Sequence, residues 1–290
     1  MNEEERPARG PVPALEPIRG TRVLRVGGAF PMIVASDIHV GLALPSPRTP
    51  RPEAGSPRAL AEGLLDAASR AGARRALLLG DVKDPIRGVP RHVRAELSEF
   101  FGRLVEGGLE VELVLGNHDV GIARTLPSGV ALHPSDGLLR DGVGYFHGHA
   151  WPSARMLRGA KVLVAGHLHP GFRLAPSHER SQTGKEPCWL RTILPPLTRT
   201  ERRRRRTHPL PRAREMLVLP AYNPLCASEA LNREEPKRGH RFLVRRFLSR
   251  GPSRAYLLDG TDLGEVRFAI VPPRGTRSAA AASPRPSATP

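Results

Sequence analysis

Five times between residues 32 and 169 a short apolar run stops at acidic, amide or imidazole side chains. Met32-Ile33-Val34-Ala35 runs into Ser36-Asp37-Ile38-His39, and Ala76-Leu77-Leu78-Leu79 into Gly80-Asp81. Val111-Glu112-Leu113-Val114-Leu115 ends at Gly116-Asn117-His118-Asp119. Tyr145-Phe146 ends at His147-Gly148-His149, and Val162-Leu163-Val164-Ala165 at Gly166-His167-Leu168-His169. Runs this short, bounded by glycine and polar residues, suit buried strands better than helices. Helical patterns separate the first three. Residues 57–71 put Leu60, Leu64, Leu65 and Ala68 on one face, and 91–106 space Val93, Leu97, Phe100, Phe101 and Leu104 helically. Strand–helix alternation predicts a layered α/β sheet with right-handed crossovers. Beyond about residue 137 the helices thin out, leaving strand-like Leu138-Leu139, 143–146, 162–165 and 217–219. The predicted fold is therefore α/β, a four-layer αββα sandwich of two mixed sheets flanked by helices.

The ends differ from the middle. Residues 1–20 are charged and proline-rich, and 275–290 are Ala-, Ser- and Pro-rich, so both are expected to be disordered around one domain at 21–274. A hydrophobic fraction of 39% over 290 residues supports a real core and excludes wholesale disorder. No run approaches the roughly 20 apolar residues of a membrane span. The Met-Asn-Glu-Glu-Glu-Arg start has no apolar signal segment. Two cysteines make no disulfide framework, and a cytoplasmic, reducing location is expected. The charge of +17 rests almost wholly on arginine, a bias that GC-rich coding also produces. A basic loop insertion is expected at about 195–214, carrying Arg202, Arg203, Arg204, Arg205 and Arg206. This run is either a solvated loop or a clamp for nucleic-acid phosphates. Aromatic residues at 4% argue against base-stacking platforms as the main binding device.

The polar side chains at the five strand ends decide the chemistry. Carboxyl ends of parallel strands share one edge, where ligands collect. Imidazoles and carboxylates without thiolates favour Mn, Fe or Zn over Ca or an iron–sulfur centre. Seven donors exceed one tetrahedral site and match two ions about 3.5–4 Å apart sharing one carboxylate. Asp37-x-His39 and His167-x-His169 are i, i+2 pairs, which point to one side of an extended chain. His92, His133, His178, His208 and His240 stand outside the five blocks and are read as structural or solvent-exposed.

The set Asp37-Ile38-His39, Gly80-Asp81-Val82-Lys83-Asp84, Gly116-Asn117-His118-Asp119, His147-Gly148-His149 and Gly166-His167-Leu168-His169 resembles the calcineurin-like metallophosphoesterase superfamily. All five blocks occur in the family order. Residues 218–225 and 256–264 are similar to the bacterial and archaeal subgroup of DNA-ligase-associated phosphoesterases. The second block lacks the Gly-Asp-x-Val-Asp-Arg-Gly of phosphoprotein phosphatases, which disfavours that branch. The resemblance implies a metal-dependent phosphoric ester hydrolase, first of all a phosphodiesterase, attacking phosphorus with a metal-bridging hydroxide. A nuclease of DNA or RNA in DNA repair is one form of it. The alternatives are a hydrolase of a small phosphorylated metabolite and a nucleic-acid-binding scaffold with little turnover. Its implied cofactors are two divalent transition-metal ions, manganese first, then Fe, Zn or Ni. Its implied partners are a phosphoester or nucleic acid and a DNA ligase or helicase, with no membrane. By the same resemblance Asp37, His39 and His169 hold one ion and Asn117, His147 and His167 the other, with Asp81 shared. His118 acts near the leaving group, oriented by Asp119. Asp84 and His149 stand behind the ligands, and His149 substitutes if His147 is displaced.

Overall fold

The computed structural model describes residues 11–42, 50–173, 185–198, 211–232, 239–266 and 268. Arg202–Arg206, His178, His208 and the tail 275–290 lie outside the described residues.

Alternation of apolar strands with one-faced helices builds the first half. β1 (Leu15–Pro17), β2 (Leu24–Val26) and β3 (Met32–Ala35) lead to α1 (Pro57–Ala71), β4 (Arg75–Leu79), α2 (Arg91–Glu106), β5 (Glu110–Val114) and β6 (Ala131–His133). They form a mixed sheet in the order β1-β2-β3-β4-β5-β6, antiparallel through β3 and parallel from β3 to β6. Ser56 caps α1, its hydroxyl accepting from the Ala59 N–H at 3.1 Å, and Pro57 occupies the first turn, where no N–H is needed. Gly72 closes the helix at φ 61°, a conformation that costs glycine little.

Shorter elements build the second half. β7 (Leu138–Arg140), β8 (Val143–Phe146), α3 (Ala154–Gly159), β9 (Val162–Ala165), β10 (Pro170–Arg173) and β11 (Lys185–Ile193) are followed by β12 (Glu215–Val218), β13 (Glu229–Ala230), α4 (Arg241–Arg246), β14 (Ser253–Leu257) and β15 (Asp262–Val266). The second sheet runs β13-β10-β11-β12-β9-β8-β7, with β14 also on β11 and β15 on β14. β8, β9 and β12 are mutually parallel.

Three apolar layers hold the sheets. Leu60, Leu64, Leu97, Phe100 and Phe101 seal α1 and α2 onto sheet one. Val34, Leu77, Val114, Tyr145, Val164 and Trp189 fill the space between the sheets. Met156, Leu157, Leu243 and Phe247 cover the outer face of sheet two. The order is helix, sheet, sheet, helix, as predicted, with a thinner second helical layer. Burying one such Leu or Phe side chain contributes about 1.5–3 kcal/mol, so these layers can hold adjoining loops in unfavourable conformations.

Residues 11–20 correct the expectation of a disordered start. β1 pairs with β2, while Val12 and Leu15 pack on the layer between the sheets and Ile18 on the α1–α2 layer. A short apolar set on a proline-ended edge strand suffices to fix the segment. Among the described residues no helix is long and apolar enough to cross a membrane.

Candidate metal centre

The parallel set β3, β4 and β5 delivers Asp37, Asp81 and Asn117 to one sheet edge, and the parallel pair β8 and β9 delivers His147 and His167. The two loop sets are tied directly. The Tyr222 N–H, beyond β12 of the second sheet, donates to the Ser36 carbonyl at 2.8 Å, and within the second set the Gly166 N–H donates to the His147 carbonyl at 2.9 Å.

Each of the two buried carboxylates is divided between a structural and an open oxygen. Asp37 Oδ2 accepts from the Ser36 hydroxyl at 2.6 Å and the His167 N–H at 3.0 Å. Its Oδ1 lies 3.1 Å from His169 Nε2 and 3.9 Å from His147 Nε2. Asp81 Oδ1 accepts the His118 N–H at 2.8 Å. Its Oδ2 lies 3.1 Å from His147 Nε2, 3.9 Å from His118 Nε2 and 4.0 Å from His39 Nε2. Burial alone would raise both carboxyls. The imidazoles of His169 and His147 beside Asp37, and of His147 beside Asp81, hold them far below the usual carboxylate range instead. Burial lowers His147, but Asp81 and Asp37 outweigh it and push the imidazole up to about 10. Burial and then the His147 charge push His167 down to about 3 and His149 to about 4.

Among the described residues three groupings stand close enough to hold a metal ion: Asp37 with His39 and His169, Asp81 with His147 and His167, and Asp84 with His39 and His118. His39 Nε2 and Asn117 Oδ1 are buried without a hydrogen-bonding partner, and Asp37 Oδ1 and His147 Nε2, equally buried, each face only an oppositely charged group of the cleft at 3.1 Å. A buried polar atom left without a partner costs about 1–3 kcal/mol, which a cation in the cleft would offset. The donors are nitrogen and oxygen, which fits a transition-metal ion with borderline ligand preference.

The backbone is unusual at the same places. Asp37 (φ 60°), His39 (46°), Asp81 (52°), His167 (67°) and His169 (47°) are left-handed, and Asp141 is the only other non-glycine so placed among the described residues. Left-handed conformation costs an L-residue roughly 1 kcal/mol or more. This corrects the extended-chain account of the i, i+2 pairs. The loops coil rather than extend, and His167 and His169 go to different groupings. Close approach explains Gly166: a Cβ there would stand 1.6 Å from Ser36 Oγ and 2.8 Å from Asp37 Oδ2.

Asp84 stands behind His39, its Oδ1 3.1 Å from His39 Nδ1. His149 lies beside His147 and His167, with ring centroids 5.2 and 6.0 Å away. Asp119 departs from its expected place as orienter of His118. Its buried carboxylate accepts from the backbone N–H groups of Gly116 and Asp81 at 2.8 Å, Val82 at 2.9 Å and Lys83 at 3.3 Å. Four backbone donors leave it shaping the Asp81 loop. The His118 ring is held instead through Nδ1 by the Asp84 carbonyl.

Three residues carry structural duties that sequence reasoning missed. Lys83 is buried and donates to the carbonyls of Pro85 and His118, tying the Asp81 and His118 loops. Buried Asn223 donates to the Ile38 carbonyl at 2.9 Å. His240, read as structural or solvent-exposed, stands against the site, its ring centroid 4.9 Å from His167 and its Nδ1 meeting Glu229. His133 is structural as read, bonded to Glu112 at 2.7 Å, and His92 is exposed.

No protein-family model and no curated protein matches the sequence. Among solved structures, the chain is similar to the Pseudomonas putida nuclease MPE, at 16% identity and TM-score 0.51, over 86% of this chain and 100% of that one. The phosphoesterase YfcE from E. coli aligns over 82% of this chain and 99% of its own, at 15% identity and a TM-score of 0.33. The likeness to the nuclease extends over the whole of that protein and most of this one, and with the two facing mixed sheets it gives the chain the calcineurin-like metallophosphoesterase fold.

Proposed function

We propose that the protein is a metal-dependent phosphoester hydrolase with a two-ion centre, acting first of all on phosphodiesters. One observation carries this reading: buried Asp and His ligand atoms converge in groupings able to hold a metal ion where five residues hold left-handed backbone. Asp37, His39 and His169 would hold one ion, and Asn117, His147 and His167 the other, with Asp81 shared between them. Bound there, two divalent ions supply a low-pKa water and neutralise charge on a phosphoryl group. Manganese is the first choice, with Fe, Zn or Ni as substitutes.

The chain's own groups do the rest. His39 is steadied by Asp84, and His147 by the Leu79 carbonyl at 2.7 Å, so each offers Nε2 inward. His118, against the Asp84 carbonyl, offers Nε2 near Asp81 and serves the leaving group as proton donor or positive charge. Asp119 and Lys83 fix the loops that carry Asp81 and His118. A nucleic-acid phosphodiester is one form of the substrate, supported by the fold shared with a nuclease. A DNA ligase or helicase partner in DNA repair rests on the resemblance of residues 218–225 and 256–264 alone.

The test is hydrolysis of a chromogenic phosphodiester and its monoester by the Mn-loaded protein, with Asp81→Asn as control. Diester turnover that disappears in the variant is expected. Monoester preference would replace the reading with a small-metabolite phosphatase. Two bound ions with no turnover of either would overturn it.

A further inference from the structure

Five imidazoles around the cleft are tethered in one manner, through Nδ1. His39 meets Asp84 Oδ1 at 3.1 Å, His147 the Leu79 carbonyl at 2.7 Å and His169 the Ala227 carbonyl at 3.3 Å. His118 meets the Asp84 carbonyl, and His240 meets the Glu229 carboxylate. An imidazole anchored at Nδ1 keeps Nε2 as its one remaining hydrogen-bonding or ligating atom. The first four belong to groupings able to hold a metal ion. His240 has the same build and belongs to none of them.

His240 nevertheless stands at the centre. Neighbouring rings run His118, His39, His169, His240, His167, His147, with centroid separations of 4.9, 5.4, 6.3, 4.9 and 4.9 Å in that order. Asp81 closes the circuit, since its Oδ2 approaches His147, His118 and His39. His240 therefore enters between His169 and His167, whereas His118 enters beside His39 and Asp81. The His240 side chain is 14% exposed, while that of Glu229 is 1% exposed. Glu229 is placed by the same chain that places the metal site, its N–H donating to the His169 carbonyl at 2.8 Å. A buried carboxylate held against a solvent-accessible imidazole orients the ring and balances a charge on it.

We propose that His240, oriented by Glu229, binds the substrate's phosphoryl group through Nε2, donating to a non-bridging oxygen beside the metal ligands. The proposal rests on the phosphoester-hydrolase reading and adds a contact that none of the five sequence blocks supplies. His240 touches substrate; Glu229 is a positioning residue that acts through it.

The experiment uses the full chain loaded with Mn²⁺. Bound Mn is counted, inorganic phosphate is titrated calorimetrically, and kcat/KM is measured on the chromogenic diester. His240→Ala is expected to keep the wild-type Mn content, weaken phosphate about tenfold and lower kcat/KM about tenfold. His240→Gln keeps the side chain's length without an imidazole and is expected to match it, which covers a folding failure of the alanine variant. Glu229→Gln is expected to weaken phosphate in the same direction, and the double variant to be no worse than His240→Ala. Phosphate affinity within about twofold of wild type in both His240 variants would overturn the proposal. Loss of one Mn would overturn it differently, by making His240 a ligand. Additive losses in the double variant would remove Glu229 from the role. Phosphate binding that depends on His240 in a protein that turns over neither ester would leave the contact standing and end the hydrolase reading instead.

Discussion

Two gatherings of acidic and basic side chains in this molecule are built on opposite terms. At one, Glu112 on β5 receives both Arg140 guanidinium nitrogens at 2.8 Å and His133 Nε2 at 2.7 Å. Both Glu112 oxygens are engaged, and the pair with Arg140 joins strands of the two different sheets. At the other, buried ligand atoms of Asp37, Asp81 and their histidines gather with few hydrogen bonds, and five of the residues that bring them together hold left-handed backbone. A closed charge cluster serves stability. An open one forgoes stability for a ligand, as functional sites do. Substitutions should therefore separate the two: changes at the first should move the melting temperature and leave turnover alone, and changes at the second should reach turnover or metal content.

The largest separation is expected at Asp81. Asp81→Asn should lower kcat on the chromogenic diester by about a thousandfold or more while the far-ultraviolet spectrum stays native. A variant retaining a tenth of wild-type turnover would dissolve the contrast. Next comes Gly166→Ala, where a Cβ would collide with Ser36 Oγ and Cβ at 1.6 and 2.6 Å. It should destabilise by about 3 kcal/mol in denaturant titration and also reduce metal content, because the collision falls on the loop that carries Asp37.

The two clusters should also fail at opposite ends of the pH scale. His147 is raised to about 10 by Asp81 and Asp37. In the metal-free protein its contribution is complete below the unfolded value near 6.5 and disappears as pH rises through about 10. Glu112 resists burial through its bonds to Arg140 and His133 and is lowered to about 2. Its contribution is complete above the unfolded value near 4.3 and is lost as pH falls through about 2. Metal binding at pH 7 should accordingly release about one proton from His147, read from calorimetry in buffers of different ionisation enthalpy. No proton release would place the metal away from His147. The smallest effect is Glu112→Gln, with about 1 kcal/mol, or about 2 °C of melting temperature, lost and kcat unchanged.

Where the sequence was legible, the reason is local. α1 and α2 coincide with their predicted ranges because one apolar face and clear punctuation act within a few residues, and β3, β8 and β9 coincide for the same reason. The five polar blocks were legible because each follows its own strand. What escaped depends on contacts across the chain. β10, β13 and α4 are too short to show a period, and β1 needed its partner to be seen. Asp119 sits beside His118 in sequence, yet backbone donors 36 to 38 residues away capture its carboxylate. His240 lies far beyond the last block with no periodic marker near it, and only the fold sets it against His167. The left-handed loops left no sign either, since Asp and His tolerate that conformation without announcing it.

The bond from the His167 N–H to Asp37 spans 130 residues and joins a loop of one sheet to a loop of the other. The complete centre does not exist until both sheets have formed and met. Contacts of such separation are expensive to close early, so they belong to the late side of the folding barrier. A metal bound there should therefore do little to hasten folding and should act as a brake on unfolding, because the chain must release the ion before the sheets can part. The centre that makes the resting chain locally uncomfortable becomes, once filled, the clasp that sets its lifetime.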